Sequence, residues 1–500
     1  RIFNNISLDR IRNKGMVMHT HKRIYGIENE LAVILQNPNG SWSEVRHGDI
    51  HKQYKRDATS VYPYAQPARL WHTNGACSYI DTGDHPEHAT PECYLIKDAI
   101  CYAKAGEVLM TNIFSRPFPD GSRIVLIKNN LGCDENGLVN GHYGCHENYL
   151  AHGLNFEREP TRKGFIPFLI TRQIMDGAGW WEPNGTFLFS QRSISMETES
   201  GRSTTSNRPL ISIRDTMNDT GSGRVHLIIG DANILDVACF LKLGTTSLVL
   251  SLIESGRAPV IEYRYPVQTM KLIASNPDIT IPYSALTLDG KELSVFDVQV
   301  IYYEASRQHF FSSTHESEEI RAELYVVLDL WEQTLNALYR RDYQWMLGKL
   351  DWATKQYLAE RFIKQKKISS LFDIQKLRKT IDILYHNITD RTIQERIYKQ
   401  WPNCRLVCDQ QIEKACYFPP QGTRARMRGL FVASILDIHD RIKTGINWMS
   451  CIDADLPVHI NVCHMHDPFA QSDNKFFEFL LESLNLPHNT ILTPQPIDQC

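Results

Sequence analysis

Residues 74–93, Asn-Gly-Ala-Cys-Ser-Tyr-Ile-Asp-Thr-Gly-Asp-His-Pro-Glu-His-Ala-Thr-Pro-Glu-Cys, determine how the rest of the sequence is interpreted. They are typical of a short strand followed by a loop rich in Gly and Pro. Tyr79 and Asp81 are two residues apart, so their side chains project from one face of that strand. Glu87 follows His85-Pro86, which disfavours helix and lets the chain turn back toward that face. Oxygen ligands grouped in this way suit Mg²⁺, although a polar turn after a strand would give the same pattern.

A second pair of carboxylates lies near the start of the chain. Residues 23–35 have the β-branched and aromatic content of a strand, with Glu28 and Glu30 on one face and apolar residues on the other. Two acidic side chains on one face of an apolar strand repel each other unless a positive charge lies between them. The pair therefore indicates a metal ion, and the alternative is an edge strand with one solvated face.

Periodicity divides the chain into three stretches. Residues 20–300 mix strand-like and helix-like segments, and residues 122–128 and 224–230 are predicted strands of a central sheet. Residues 320–400 are predicted to be helical, because apolar side chains recur there at three- and four-residue intervals. That stripe, which is typical of a helix core, consists of Leu324, Val327, Leu328, Trp331, Leu335 and Leu338. From Trp401 onward the composition changes, which predicts a smaller C-terminal domain of mixed strand and helix.

Nucleotide binding leaves no glycine-rich signature in this sequence. Neither a P-loop nor a Gly-x-Gly-x-x-Gly after a strand occurs, so metal ions and discrete basic side chains would have to hold phosphates. Guanidinium groups match phosphate geometry, and the candidates are Arg214, Arg424 and Arg426. The alternative for each is a surface ion pair.

Motifs along most of the chain resemble the family of Pup–protein ligases and depupylases. They include Arg-Ile-Tyr-Gly-Ile-Glu-Asn-Glu (23–30), the segment 74–93, Tyr-Gly-Cys-His-Glu-Asn-Tyr-Leu (143–150) and Pro-Pro-Gln-Gly-Thr-Arg-Ala-Arg-Met-Arg-Gly (419–429). Shorter matches occur at 128–130, 168–173, 190–192, 226–233 and 241–245. Because the motifs keep one order from residue 23 to about residue 468, the resemblance is specific.

The resemblance implies an α+β fold of the glutamine-synthetase-like kind. It predicts a large domain with a central, mostly antiparallel sheet and packed helices, and a small C-terminal α/β domain that completes the nucleotide site. The expected divisions are an N-terminal extension (1–19), the catalytic domain (20–402) and the small domain (403–500). The implied activity is ATP- and Mg²⁺-dependent: the side-chain carboxylate of a C-terminal Glu on a small modifier protein is activated and joined to a lysine, or that bond is reversed.

The resemblance also implies roles for individual residues. Glu28, Tyr79 and Glu87 match magnesium-binding positions, and Asp81 matches the catalytic aspartate, the proton acceptor in the ligases. Thr90 and Trp448 match positions that contact ATP. Further residues lie in motifs that the family places near the nucleotide and metals: Glu30, His146, Glu147 and His226. Of these, Glu30 and His226 are predicted to be metal ligands.

The sequence departs from the family at two places. Where the family has an ATP-contacting arginine two residues before the metal-binding tyrosine, this chain has Cys77, so another cation must replace it or nucleotide affinity must fall. After residues 213–215 the usual acidic, His-containing stretch is replaced by Thr-Met-Asn-Asp. These differences suggest a divergent branch acting on a Pup-like or ubiquitin-like modifier.

The direction of the reaction is predicted from spacing. Depupylases of this family carry a long insertion after the first strand, whereas only 43 residues separate Glu30 from Asn74 here. We therefore expect a ligase, with a depupylase or deamidase as the alternative. Two further classes stay open: a small-molecule glutamate–amine ligase, which would turn over ATP with free glutamate, and a non-catalytic protein that binds the modifier without forming ADP.

Composition excludes several other classes. A net charge of −3 gives no nucleic-acid footprint. No apolar run is expected to reach the roughly 18 residues of a membrane span. The first residues lack the apolar core of a signal peptide, and the twelve cysteines have no regular spacing. The expected location is cytoplasmic, and the expected partners are the modifier and lysine-bearing target proteins.

Overall fold

The computed structural model describes the larger part of the chain. The described residues are 18–19, 22–45, 48–61, 69–133, 139–156, 158–214, 222–282, 287–314, 317–436, 444–446, 450–453, 462–464 and 467–469. Trp448, which is a predicted nucleotide contact, lies outside them.

Strands and helices alternate along the first half of the chain, and helices predominate in the second. The strands are β1 (Met18–His19), β2 (Tyr25–Glu30), β3 (Ala32–Gln36), β4 (Trp42–Glu44), β5 (Arg69–Trp71), β6 (Cys77–Asp81), β7 (His85–Ala89), β8 (Arg123–Ile127), β9 (Leu131–Cys133), β10 (Val139–His142), β11 (Cys145–His152), β12 (Trp180–Trp181), β13 (Phe187–Leu188), β14 (Thr198–Gly201), β15 (Pro209–Ser212), β16 (Ser222–Leu227), β17 (Ser313–Thr314), β18 (Thr444–Ile446), β19 (Ser450–Asp453) and β20 (Val462–His464). The helices are α1 (Asp49–Val61), α2 (Ile96–Ile113), α3 (Glu159–Lys163), α4 (Ile166–Thr171), α5 (Gln173–Asp176), α6 (Arg192–Ser195), α7 (Asp236–Glu254), α8 (Pro266–Ser275), α9 (Val295–Ser312), α10 (Glu318–Arg340), α11 (Tyr343–Met346), α12 (Asp351–Lys366), α13 (Leu371–His386), α14 (Thr392–Gln400), α15 (Asp409–Tyr417) and α16 (Ala425–Leu436).

The chain forms two compact units, each built from separate stretches of sequence. One unit consists of residues 24–128, 386–392 and 406–500, and the other of residues 1–23, 129–385 and 393–405. The segment after residue 405 therefore groups with the N-terminal strands. The expected division at 1–19, 20–402 and 403–500 stays a prediction.

The first unit contains antiparallel strands in the order β2-β7-β6-β5. A separate three-stranded sheet has the order β4-β3-β8. The strand predicted over residues 23–35 is therefore two strands, because β2 pairs with β7 whereas β3 pairs with β8. The prediction that residues 122–128 form a strand is confirmed, but that strand belongs to the smaller sheet and not to a central one.

Helix α2 supplies much of the core of this unit. Met110, Ile113 and Phe114 pack with Leu70 and Leu126 in one buried apolar cluster. Helix α15 packs along α2, and its Ala415 carbonyl accepts a hydrogen bond of 2.7 Å from Asn74 Nδ2. The long helix therefore joins the site strands to a segment more than 300 residues later in the sequence.

The second unit combines strands in the order β14-β15-β16-β11 with a helical layer. Helices α7, α9 and α10 pack on one another. Helix α10 begins after Ser317, whose side chain accepts a hydrogen bond from the Ile320 N–H, and ends at Arg341 in the left-handed conformation. The predicted apolar stripe is confirmed, since all six of its side chains, which lie between Leu324 and Leu338, are buried. Mixed sheets and helices give the α+β class that the sequence predicts.

Helix α7 corrects the prediction that no apolar segment of this chain reaches the length of a membrane span. It is long and apolar enough to cross a membrane by length and composition, with a mean hydropathy of 1.6 over its 18-residue window. However, 83 % of that window is buried inside the protein, as expected for a core helix. Gly244 shows how closely it packs, because a Cβ there would lie 2.4 Å from Val327 Cγ2 of α10.

Candidate active site

Three strands place oxygen donors in one row across the sheet. Glu30 of β2 lies directly opposite Glu87 of β7, and Glu87 lies directly opposite Tyr79 of β6. Residues opposite each other in antiparallel strands project from the same face. The prediction that the chain turns back to bring Glu87 to the face of Tyr79 and Asp81 thus agrees with the structure. The connection is the tight turn at residues 82–84 of a β-hairpin.

Asp81 completes a cluster of carboxylates on this face. Glu30, Asp81 and Glu87 can each offer an oxygen such that the three atoms lie within 4.8 Å of one another. Glu87 is buried, whereas Glu30 and Asp81 are half-buried. Partly exposed oxygen donors suit a hard divalent cation that retains water or substrate oxygens.

Electrostatic repulsion within the cluster is strong. Burial raises the pKa of Glu87 well above its ordinary value, and the charges of Glu28, Glu30 and Asp81 raise it further. The Tyr79 hydroxyl donates a hydrogen bond to Glu87, and burial together with Glu87 and Glu28 raises the pKa of this phenol. A bound cation would relieve the repulsion, so the donor set fits the predicted Mg²⁺.

Two contacts fix groups beside the carboxylate cluster, one at Glu30 and one in the hairpin turn. His85 Nδ1 lies 2.9 Å from Glu30 Oε2 and orients that carboxylate. Asp84, in the hairpin turn, has a φ of 62° and accepts a 2.8 Å hydrogen bond through Oδ2 from the Gly48 N–H before helix α1. Asp84 thus holds the turn, which leaves Asp81 as the carboxylate facing the cluster.

Thr90 lies just beyond β7 and is buried. Its Oγ1 accepts a 3.0 Å hydrogen bond from the Ile27 N–H, and its own N–H donates to the Ile27 carbonyl at 2.9 Å. These hydrogen bonds hold the Thr90 side chain against Ile27 of β2, which is the residue before Glu28. Among the described residues the hydroxyl donates no hydrogen bond, so the predicted ATP contact is compatible with this position.

The predicted phosphate-binding arginines differ in their surroundings. Arg424 Nε donates to Glu92 Oε1 at 2.8 Å, and the fully buried Arg428 also pairs with Glu92. Burial opposes ionisation of Glu92, but Arg428 and Arg424 outweigh it and lower its pKa to about 2. Arg424 thus pairs with a largely buried carboxylate, and its predicted contact with phosphate stays a prediction. Arg426, on helix α16, is half-buried.

Cys77 is the first residue of β6 and is fully buried. Its side chain belongs to an apolar cluster with Trp71 and with Val432 of α16. Burial raises the pKa of the Cys77 thiol to about 12. Position 77 therefore contributes a neutral, apolar group, as its residue type suggests.

The second unit contains the remaining predicted site residues. His226 of β16 and His146 of β11 are buried, and their rings meet edge to face with centroids 5.0 Å apart. Glu147 is fully buried, accepting a 3.0 Å hydrogen bond from Arg172 Nη1 and a 2.6 Å one from the Tyr149 hydroxyl. Its pairing with Arg172 is a structural ion pair within that unit.

Arg214 follows β15 and is exposed. Its backbone N–H donates to Ser212 Oγ at 3.4 Å. Arg214 lies in the second unit, whereas the cluster of Glu30, Asp81 and Glu87 lies in the first.

Three buried polar side chains contact one another on the face of the sheet opposite the carboxylates. They were not predicted from the sequence. His72 Nε2 and His88 Nδ1 lie 2.7 and 2.9 Å from Ser78 Oγ. Burial lowers the pKa of both histidines, so they are neutral. The alternation of Ser78 with Tyr79 was the available signal, since it places a hydroxyl on the face away from the carboxylates.

Comparison with known proteins identifies the family. The family described as Pup-ligase protein matches residues 23–452. A Pup–protein ligase from Jonesia denitrificans is 30% identical over 475 residues, which is 91% of this chain and 97% of that protein. A Pup–protein ligase from Nakamurella multipartita is 32% identical over 399 residues, covering 75% and 83% of the two chains. The chain belongs to the Pup-ligase family.

Solved structures agree in fold. The complex between the prokaryotic ubiquitin-like protein Pup and its ligase PafA superimposes with a TM-score of 0.79 at 26% identity, covering 94% of this chain and 96% of that chain. The Pup ligase PafA in complex with ADP gives a TM-score of 0.73 at 26% identity, covering 89% and 95%. The predicted glutamine-synthetase-like ligase fold is confirmed, and so is the preference for the ligase over the depupylase.

Proposed function

We propose that this protein is an ATP-dependent ligase that joins the C-terminal Glu of a Pup modifier to a lysine on a target protein. The bond formed is an isopeptide bond through the side-chain carboxylate of that Glu. The observation that supports this most directly is the cluster of Glu30, Asp81 and Glu87 on one face of the sheet. The relatives support the substrates, since one solved neighbour is a ligase bound to Pup and another is bound to ADP.

The first step activates the modifier. A carboxylate is a poor acyl donor, and transfer of the γ-phosphoryl group of ATP to it gives an acyl phosphate with a good leaving group. We assign Mg²⁺ to Glu28, Glu30, Tyr79 and Glu87, where it would neutralise charge that develops on the phosphates. Tyr79 and Glu87 are held together by a hydrogen bond, so two of these oxygens are positioned before the cation binds.

The second step requires a neutral amine. A lysine has an ordinary pKa of about 10.4 and must lose a proton before its nitrogen attacks the acyl carbon. The new C–N bond replaces the C–O bond to the phosphoryl group, which leaves as inorganic phosphate. Asp81 is the proposed acceptor of that proton. It is the last residue of β6 and is half-buried beside Glu30 and Glu87. General-base catalysis of this kind typically contributes about 10²–10⁴ in rate.

The nucleotide would be bound through several predicted contacts. Thr90 and Trp448 are proposed to contact ATP, and Arg214, Arg424 and Arg426 to contact phosphate. His226 is proposed as a further metal ligand. Because Arg424 also pairs with Glu92, it would act on the nucleotide while remaining anchored to the protein.

Intact-mass spectrometry tests the proposal. The protein is mixed with Mg²⁺, ATP, Pup ending in Glu and a lysine-bearing acceptor protein. The expected product has the summed mass less one water and forms together with ADP. Cleavage of a preformed conjugate, or loss of the amide from a C-terminal Gln, without any ligation would contradict the ligase and indicate the depupylase. ADP formation with free glutamate and a small amine would indicate a small-molecule ligase, and Pup binding without ADP would indicate a non-catalytic protein.

A further inference from the structure

Arg69 extends the row of site residues onto a fourth strand. The register places Arg69 of β5 directly opposite Tyr79, which is itself opposite Glu87. The guanidinium carbon lies 5.4 Å from the centroid of the Tyr79 ring. Arg69 and the carboxylates therefore share one face of the sheet, with Tyr79 between them.

The side chain of Arg69 is exposed, and its guanidinium is stacked on the Tyr79 ring. Among the residues that the structure describes, it forms no hydrogen bond and no ion pair, and its contact is the stacking on Tyr79. Such stacking within about 6 Å holds the planar group in place while its N–H donors stay available. Arg424 and Arg428, in contrast, both pair with Glu92.

The carboxylate cluster is negatively charged, so a phosphate chain bound beside it requires a nearby cation. Glu28, Glu30, Asp81 and Glu87 lie on the same face and repel the phosphate chain of a nucleotide. Cys77 occupies the next position on that face of β6, but its side chain is packed in an apolar cluster and supplies no positive charge. A fixed guanidinium at the border of the cluster is the group that matches phosphate oxygens in geometry and charge.

We propose that Arg69 binds the phosphate chain of ATP, supplying from strand β5 a cation beside the carboxylate cluster. This inference rests on the proposed ligase function, because it places the nucleotide over the carboxylate cluster. The carboxylate of the modifier has related anionic oxygens, and the two sources are separated by measuring each ligand alone.

The test compares Arg69→Ala and Arg69→Lys with Arg123→Ala. Arg123 is a matched control, since it is also an exposed arginine at the first residue of an antiparallel strand of the same unit, but it lies in the β4-β3-β8 sheet. Calorimetry gives the Kd of MgATP and of MgADP, and fluorescence anisotropy gives the Kd of labelled Pup.

Arg69→Ala is expected to weaken MgATP binding by about tenfold or more, which is the usual effect of losing a charge-assisted hydrogen bond. Arg69→Lys should recover part of the loss, whereas Pup binding and the Arg123→Ala variant should match the wild type. In turnover, the KM for ATP should rise more than kcat falls. An unchanged Kd for MgATP in Arg69→Ala, or a loss confined to Pup binding, would overturn the assignment. Failure of the ligase proposal is visible separately, as wild-type protein that binds MgATP but forms no conjugate.

Discussion

Glu30 and Glu87 face each other directly across neighbouring antiparallel strands, with acidic Asp81 close to both. Like charges in directly opposed positions destabilise a sheet. The protein keeps this arrangement beside a core that is otherwise well packed, with Met110 and Leu70 fully buried. This repulsion does not favour folding, and it is the arrangement that the proposed Mg²⁺ would stabilise.

Glu87→Gln should separate binding from stability. Without metal, we expect its free energy of unfolding to equal or exceed that of the wild type by up to about 1 kcal/mol, because a repulsion is removed. With Mg²⁺ at about 100 times its Kd, the wild type should gain about 2.7 kcal/mol and the variant much less. Urea denaturation with Mg²⁺ or EDTA measures both effects. Glu44→Gln, at an exposed glutamate on β4, should behave as the wild type.

Asp81→Asn should abolish conjugation while the protein remains folded. We expect a loss of about 10²–10⁴ in the rate of conjugate formation, because the proton acceptor is removed. Asp84→Asn is the matched control, because asparagine keeps an oxygen for the Gly48 N–H and tolerates the left-handed conformation. Intact-mass spectrometry measures the conjugate. If Asp84→Asn lost activity as strongly as Asp81→Asn, the assignment of the base to Asp81 would be wrong.

Glu92→Gln should destabilise the protein strongly. Removing the carboxylate leaves the Arg428 guanidinium fully buried without its counter-charge, and breaking a buried pair in this way costs about 3–5 kcal/mol. Asp49→Asn breaks the exposed pair with Lys52 and should cost about 1 kcal/mol or less. Chemical denaturation at neutral pH compares the two variants. Equal losses would contradict a structural role for the buried pair.

Glu107 should make the protein sensitive to acid. Burial opposes its ionisation, but Lys104, Lys128 and Arg391 lower its pKa to about 2. The ordinary value is higher, so this group stabilises the folded state above about pH 4.5, and the contribution is lost as the pH falls toward 2. Lowering the Glu107 pKa from 4.5 to about 2 corresponds to about 3 kcal/mol in the free energy of unfolding at neutral pH.

Glu107→Gln should therefore be less stable at neutral pH, and its free energy of unfolding should fall less steeply between pH 4.5 and pH 2. Denaturation curves across this range measure the slope. The variant Glu318→Gln, at an exposed glutamate, serves as the reference. A variant slope equal to that of the wild type would show that Glu107 does not contribute.

The sequence predicted the parts of the site that depend on local spacing. Alternation placed Tyr79 with Asp81 and Glu28 with Glu30, and the Pro after His85 indicated the return of Glu87. The end of β2 was not predictable, because residues 32–36 continue the apolar pattern while changing their pairing partner. Periodicity reports which face is buried and not which strand lies alongside.

Long-range contacts left no local signal. Glu92 and Arg428 are separated by 336 residues, and nothing in either motif indicates that they pair. Arg69 belongs to a strand of three residues, too short for a period to be recognised. The structure was needed to place both arginines.

The β6–β7 hairpin has a consequence for folding during synthesis. It gathers Tyr79, Asp81 and Glu87 through a short turn, and such hairpins close in about 1–10 μs. Arg428 leaves the ribosome 336 residues after Glu92, which corresponds to about 17–67 s at 5–20 residues per second. These three residues can thus come together on the nascent chain long before the helix that carries Arg428 has been translated. Until then Glu92 has neither Arg424 nor Arg428 as a partner, so we expect its burial to be one of the last events in the folding of the first unit.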